Sequence, residues 1–253
     1  MRSLIARRFS RHLALTPEEI ARLETLEAHP VAVARHRTIR KEDERSRHAY
    51  VLQSGWAMSS MLLADGSRQI LRLHLPGDIM AMPSVALRRE VEKIEALTDC
   101  IIAPFDKNVL QSLFTDFPRL AATMFLFAQV ERLAYGERLA SVARTSAKAR
   151  IAFLLIDILE RLRASDPGIG DSFEMPLTQE QIGDLTGQTA IHANRMWQAL
   201  VEDGLVARRG DIFTIPAETR LRALAQYVNR FDDLDFSWLP EPQGPTPAMA
   251  NAG

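Results

Sequence analysis

The part of the sequence that most constrains its fold is the segment 176–206, PLTQEQIGDLTGQTAIHANRMWQALVEDGLV. Thr178 followed by Gln181 is a capping-box pattern, which predicts a short helix that begins there. Gly187 then permits a tight turn, because glycine adopts positive φ without steric cost. Apolar residues at helical spacing predict a second helix over 189–202. The segment therefore predicts two short helices joined by a turn.

The second helix carries polar side chains near its first turn, the end that a helix-turn-helix inserts into the major groove of DNA. Arg195 is the strongest candidate, because a guanidinium can donate two parallel hydrogen bonds to guanine O6 and N7. His192 and Asn194 are expected to contact a base edge or a phosphate, and both alternatives stay open. The predicted inner face comprises Ile191, Met196, Ala199 and Leu200. The predicted DNA-binding residues are Thr178, Gln179, Gln188, Thr189, His192, Asn194, Arg195, Arg208 and Arg209.

A small wing is predicted directly after the two helices. Residues 205–215, LVARRGDIFTI, indicate a strand, an Arg-Gly-Asp turn and a second strand, with Arg208 and Arg209 at the tip. These arginines are interpreted either as phosphate contacts or as parts of a solvated hairpin. The charge of 171–215 argues against strong DNA affinity, because three arginines, no lysine and seven acids give a net charge of −4. Basic residues that can assist are Arg144, Lys148 and Arg150.

The first half of the chain has a different pattern, with short apolar runs separated by turn residues over 38–105. In 71–75, LRLHL, the leucines alternate with Arg72 and His74, which predicts a strand with one buried and one wet face. The pair 65–66, Asp-Gly, predicts a hairpin turn. Several short strands at this spacing predict a β-sandwich or roll.

A long helix is predicted over 117–140, FPRLAATMFLFAQVERLAYGERLA, which has apolar residues on more than one side. Such a helix needs two partners. We predict that one is its own roll and that the other is the same helix of a second subunit; burial within a single subunit is the alternative. The apolar stripes are Leu120, Met124 and Phe127 on one side and Leu126, Val130 and Leu133 on another. The predicted dimer interface comprises Leu120, Met124, Phe127, Val130 and Leu133.

The 253 residues are enough for two domains. No stretch approaches the roughly 20 apolar residues of a membrane span, so a cytoplasmic protein without membrane contact is expected. The single cysteine, Cys100, excludes an intrachain disulfide and a four-cysteine iron–sulfur cluster. No nucleophile elbow, phosphate-binding loop or metal-ligand spacing is found, so we expect neither an enzyme nor a cofactor. The predicted units are 1–116 (sensor roll), 117–143 (dimerisation helix), 144–216 (winged helix-turn-helix) and 217–253 (helix and disordered tail).

Over about residues 16–216, the chain resembles the Crp/Fnr family of bacterial transcription regulators. The resemblance rests on segment 176–206, with its Gly187 and Arg195, and on the order of roll, long helix and wing. The resemblance implies an α+β fold with an N-terminal cyclic-nucleotide-binding-like β-roll, a long dimerisation helix and a C-terminal winged helix-turn-helix. It also implies a homodimer on double-stranded DNA, with half-sites about one helical turn apart. RNA polymerase is a further candidate partner.

The chain departs from the family pattern at two places. Many members carry a glutamate four residues before the recognition arginine, where this chain has Ile191, so altered operator specificity is expected. Members that bind cyclic nucleotides have a Gly-Glu pair and then an Arg-Ser or Arg-Thr pair. Here 76–78, Pro-Gly-Asp, resembles the start of this pattern, but Glu90 and Val91 align with the second pair, with Arg88 and Arg89 close by. Because an acid repels a cyclic phosphate, cyclic-AMP binding is not expected.

The main hypothesis is a sequence-specific DNA-binding regulator, with an unidentified effector in the roll as an open question. The alternative is a ligand-sensing module that acts through protein contacts and has a helix-turn-helix too acidic for DNA. Salt dependence separates the two, because binding to DNA weakens steeply as ionic strength rises. Haem ligation by His74 or His48 is a further family option, which we do not expect of lone histidines on strands.

Overall fold

The computed structural model describes residues 3–242 and has the predicted α+β architecture. Two antiparallel four-stranded sheets form a roll, a long helix follows, and a helical unit with a three-stranded sheet ends the fold. The strands are β1 Val31–Val33, β2 Thr38–Arg40, β3 His48–Ser54, β4 Ala57–Leu62, β5 Arg68–His74, β6 Ile79–Met80, β7 Lys93–Ala96, β8 Cys100–Asp106, β9 Ser172–Glu174, β10 Ala207–Arg209 and β11 Ile212–Thr214. The helices are α1 Leu4–Phe9, α2 Pro17–Leu26, α3 Val109–Asp116, α4 Pro118–Arg144, α5 Ala147–Ser165, α6 Gln179–Thr186, α7 Ala190–Glu202 and α8 Glu218–Ala225.

The roll consists of the sheets β1-β8-β3-β6 and β2-β7-β4-β5. The predicted hairpin joins β4 to β5: Gly66 has φ +84°, and the carboxylate of Asp65 accepts a hydrogen bond from the amide of Ser67 at 2.9 Å. Cys100 is buried, and burial raises the pKa of its thiol. A buried thiol with a raised pKa is a packing residue of low reactivity.

The wet face predicted for β5 is wrong. His74 is buried with its Nε2 2.7 Å from the hydroxyl of Ser59, and Arg72 forms a salt bridge of 2.9 Å with Glu131 of α4. The face is covered because α4 and α5 supply charged partners for it; Arg161 of α5 donates to the carbonyl oxygen of Leu73 at 2.7 Å. Alternation along a strand identifies two faces but does not say what covers each.

Helix α4 packs against its own roll with the stripe that was predicted to form the dimer interface. Leu120 and Phe127 are buried within the subunit, and the ring of Phe127 stacks on that of Phe9 with 4.4 Å between centroids. Met124 packs against the same cluster. These contacts argue against Leu120, Met124 and Phe127 as interface residues. Val130 is half-buried. The large apolar side chains that α4 leaves exposed are Phe125, Leu133, Tyr135 and Leu139.

The segment after α8 returns to α4. Phe236 stacks on Phe127 with 5.5 Å between ring centroids, and Arg230 forms a salt bridge of 2.6 Å with Glu137. The tail predicted to be disordered extends into residues 243–253, which lie outside the described part of the chain. Within residues 3–242, no helix combines the length and the apolar character that crossing a membrane requires.

Candidate nucleic-acid interface

The turn between α6 and α7 is fixed by two glycines. The capping box of α6 is formed as predicted: Thr178 Oγ1 accepts from the amide of Gln181 at 3.2 Å, and the Gln181 side chain accepts from the amide of Thr178 at 2.9 Å. Gly187 ends the helix with φ +64°. Sequence reasoning missed Gly183, where a Cβ atom would lie 2.6 Å from the carbonyl oxygen of Gln188. A glycine inside a predicted helix was the available signal.

Helix α7 buries one face against the rest of its unit. It begins after Thr189, whose hydroxyl accepts from the amide of His192 at 3.2 Å. Its inner face comprises Ala193, Trp197 and Leu200. Trp197 meets the ring of Phe213 in the wing edge to face, with 5.1 Å between centroids. Leu200 was predicted to face inward and does so, whereas the prediction for Ile191 is wrong, because this side chain is 85% exposed.

The outer face of α7 exposes Asn194 and Arg195. Arg195 Nη2 lies 2.8 Å from His192 Nδ1. A guanidinium has only donors, so Nδ1 accepts this bond. His192 therefore orients Arg195, a role that the sequence did not indicate, while the predicted DNA contacts of these three residues stay predictions.

The residues predicted to bind DNA near the turn between α6 and α7 differ in burial and in hydrogen bonding. The Gln188 side chain donates to the carbonyl oxygen of Ala147 and to Thr186 Oγ1, both at 3.0 Å. Its amide therefore ties α5 to the end of α6, which argues against the predicted DNA contact. Thr178 and Thr189 are exposed at the starts of α6 and α7, and Gln179 is half-buried.

The wing is a three-stranded sheet in the order β10-β11-β9. The sequence predicted β10 and β11 but not β9. The turn is closed by Gly210 at φ +63°. Arg208 donates to the Gly210 carbonyl oxygen at 2.7 Å and lies over the Phe213 ring, 4.7 Å from its centroid. Part of its hydrogen-bonding capacity is therefore taken up within the wing. Arg209 is exposed beside it.

Residues of β5 hold α6 against the roll. Arg68 forms a salt bridge of 2.7 Å with Asp184 and one of 3.7 Å with Glu180. Arg138 of α4 donates to the carbonyl oxygens of Ile70 and Leu185, both at 2.9 Å. The helix-turn-helix is therefore attached to the roll through side chains on the side of α6 that faces β5.

A buried carboxylate joins the roll to α1 and α5. Asp78 is contacted by Arg8 at 2.9 Å, by Arg72 at 3.3 Å and by Arg161 at 2.7 Å. Burial by itself would raise the pKa of Asp78, but the three guanidinium groups outweigh it and hold the pKa well below its usual range. Nearby, burial lowers the pKa of His74 to about 3.

Two family models match the two halves of this architecture. The model described as cyclic nucleotide-binding domain matches residues 30–117, and the Crp-like helix-turn-helix domain matches residues 149–224. The chain belongs to the Crp/Fnr family. This family of transcription regulators accounts for the order of roll, long helix and winged unit.

Curated Crp/Fnr relatives match at low identity over most of their length. The transcriptional activator protein FnrL of Cereibacter sphaeroides is 28% identical over 197 residues, which cover 76% of this chain and 78% of FnrL. The regulatory protein HlyX of Actinobacillus pleuropneumoniae is 23% identical over 202 residues, 79% of this chain and 83% of HlyX. The structure of FixK2 from Bradyrhizobium japonicum superposes with a TM-score of 0.70 at 23% identity, covering 77% and 96% of the two chains.

The Crp/Fnr roll of this chain does not fit a cyclic nucleotide. The carboxylate of Asp78 accepts from three arginines and from the amide of Leu75 at 2.9 Å, so it is not free to hold a ribose. Glu90, in the position of the phosphate-binding pair, is buried and has Lys107 Nζ at 3.4 Å. A cyclic phosphate would meet a carboxylate there instead of a guanidinium.

Proposed function

We propose that this regulator binds a two-fold symmetric DNA site as a homodimer, with α7 of each subunit in the major groove and Arg195 bound to guanine. The outer face of α7 carries the proposal. Asn194 and Arg195 are exposed near the start of a helix whose opposite face is fixed by Trp197 and Leu200. The hydrogen bond from Arg195 to His192 holds the guanidinium on this face. Arg209, which is exposed on the wing, is the proposed phosphate contact.

The exposed apolar side of α4 supports the homodimer. Phe125, Leu133 and Leu139 are 60%, 47% and 70% exposed, and they follow one another along the helix. Burying such side chains between two copies of α4 stabilises a dimer by the hydrophobic effect. A dimer presents two α7 helices and so doubles each base contact. From family membership we also propose a cytoplasmic location and RNA polymerase as a partner.

Substitution of Arg195 tests the proposal. Synthetic duplexes that carry a randomised half-site in inverted repeat are mixed with the chain, and bound duplexes are recovered by gel shift. Loss of a bidentate contact in both half-sites weakens binding about 30-fold or more. Arg195→Ala is therefore expected to lose the selected duplexes. Arg220→Ala on α8, which removes another exposed arginine, is expected to retain them.

A salt titration separates the proposal from a module that acts only through protein contacts. Wild-type affinity for the selected duplex is expected to fall steeply as salt rises, because phosphate contacts release counterions. Equal retention by Arg195→Ala would refute the role given to that residue. The absence of any salt-dependent binding would favour the module without DNA.

A further inference from the structure

Ile191 places an apolar side chain on a surface that otherwise carries polar groups. It is 85% exposed, the highest value among the large apolar side chains whose burial the structure describes. Its exposed neighbours on the outer face of α7 are Asn194, Arg195 and Gln198. The apolar side chains that follow it in the first two turns of α7, Ala193, Met196 and Trp197, are buried or half-buried, so Ile191 is separate from the core that holds the helix.

The spacing puts Ile191 beside the proposed guanine contact. Residues four apart lie on one face of a helix, and a rise of about 1.5 Å per residue places Ile191 about 6 Å from Arg195 along the axis. Successive base pairs are about 3.4 Å apart, so the two side chains reach positions about two base pairs apart.

We propose, on the basis of the proposed function, that Ile191 contacts the C5 methyl group of a thymine in the major groove, within about two base pairs of the guanine bound by Arg195. The thymine methyl is the apolar group that base edges present in this groove. A glutamate at this position, as in many family members, would instead accept a hydrogen bond from cytosine N4. Ile191 therefore sets one base of each half-site.

Selection from the randomised duplexes tests the inference with four proteins: wild type, Ile191→Ala, Ile191→Glu and the control Val201→Ala. Val201 is an exposed apolar residue near the other end of α7. Wild type and Val201→Ala are expected to enrich thymine at one position and guanine at another. Ile191→Ala is expected to lose the thymine preference and keep the guanine. Ile191→Glu is expected to replace thymine by cytosine.

A second measurement isolates the methyl group. Deoxyuridine pairs like thymidine but lacks the methyl, and it replaces the selected thymine in both half-sites. The transfer free energy of one methyl corresponds to about fourfold in affinity per half-site, or about 15-fold for a symmetric site. Wild type is expected to show this loss, and Ile191→Ala is expected to bind both duplexes equally.

Two results would overturn the inference while the proposed function stands: a thymine preference that persists in Ile191→Ala, or wild-type affinity unchanged by uracil. If wild type enriches no duplex at all, the proposed function fails and the inference fails with it. Circular dichroism spectra of the variants are expected to match wild type, because the substituted side chains are exposed.

Discussion

Asp78→Asn removes the carboxylate that Arg8, Arg72 and Arg161 share. The Asp78 side chain is 6% exposed, and those of the three arginines are 13–18% exposed. The substitution keeps an oxygen that can accept from the Leu75 amide, so the main loss is charge. Because these residues come from α1, β5 and α5, we expect the loss to weaken the attachment of the roll to its neighbouring helices.

The size of the effect follows from what each arginine retains. Removing one partner of a buried ion pair costs about 3–5 kcal/mol, because the remaining charge is uncompensated. Arg72 keeps its 2.9 Å bridge to Glu131, and Arg161 keeps a 3.7 Å contact with Asp157. These residual contacts place the expected loss at the lower end, about 3 kcal/mol of the free energy of unfolding. That is a large part of the roughly 5–15 kcal/mol of a typical domain.

Urea unfolding followed by circular dichroism and by tryptophan fluorescence measures this loss. Trp56 of the roll and Trp197 of α7 are 9% and 4% exposed, so the emission reports on both halves of the chain. The control is Asp43→Asn, which removes an exposed partner of Arg89 and is expected to cost at most about 1 kcal/mol. If Asp78→Asn is no more destabilising than Asp43→Asn, the carboxylate does not offset the burial of the arginines and the reasoning is wrong.

Two further predictions concern acid sensitivity and assembly. The pKa of His74 is about 3 in the folded state and about 6.5 in the unfolded state, so below pH 6.5 the unfolded state binds the extra proton. The free energy of unfolding is therefore expected to fall by up to about 1.4 kcal/mol for each pH unit below 6.5. Urea titrations should show a shallower dependence for His74→Gln than for the exposed control His48→Gln. Leu139→Glu is expected to weaken dimerisation about 100-fold or more, because it removes two apolar side chains per dimer. Leu62→Glu on the roll should leave the sedimentation coefficient unchanged, and a dimeric Leu139→Glu would exclude this face of α4.

The elements that the sequence predicts well are those with local signals. The capping box of Thr178 and Gln181 and the Asp-Gly hairpin both act within a few residues, and each is formed. The predictions that fail concern which face of a helix or strand is buried. One failure is the choice of which apolar stripe of α4 packs on the roll, and the other is that Arg72 and His74 of β5 are covered. Both depend on elements that are far away in sequence. Periodicity cannot supply this information.

Ile191 shows the same limit at the candidate site. Hydrophobicity alone assigned it to the core of the unit. The start of α7 at Ala190 turns Ala193, Trp197 and Leu200 inward and leaves Ile191 outside. If the assumed inner face of α7 is rotated by part of a helical turn, Ile191 changes from a predicted buried residue to an exposed one. The hydrogen bond between His192 and Arg195 was equally invisible, because it depends on rotamers.

The acidic balance of 171–215 does not describe the surface that we propose faces DNA. Asp184 and Glu180 pair with Arg68 of the roll, and Asp203 pairs with Lys148 at the start of α5. Asp211 pairs with Arg208 within the wing, so three acids remain, and none of the seven lies within 190–199, the stretch with the proposed base contacts. Because Lys148 and Arg208 also have acidic partners, few cations remain for phosphates. Base contacts must therefore carry a larger share of the affinity than in a basic DNA-binding domain.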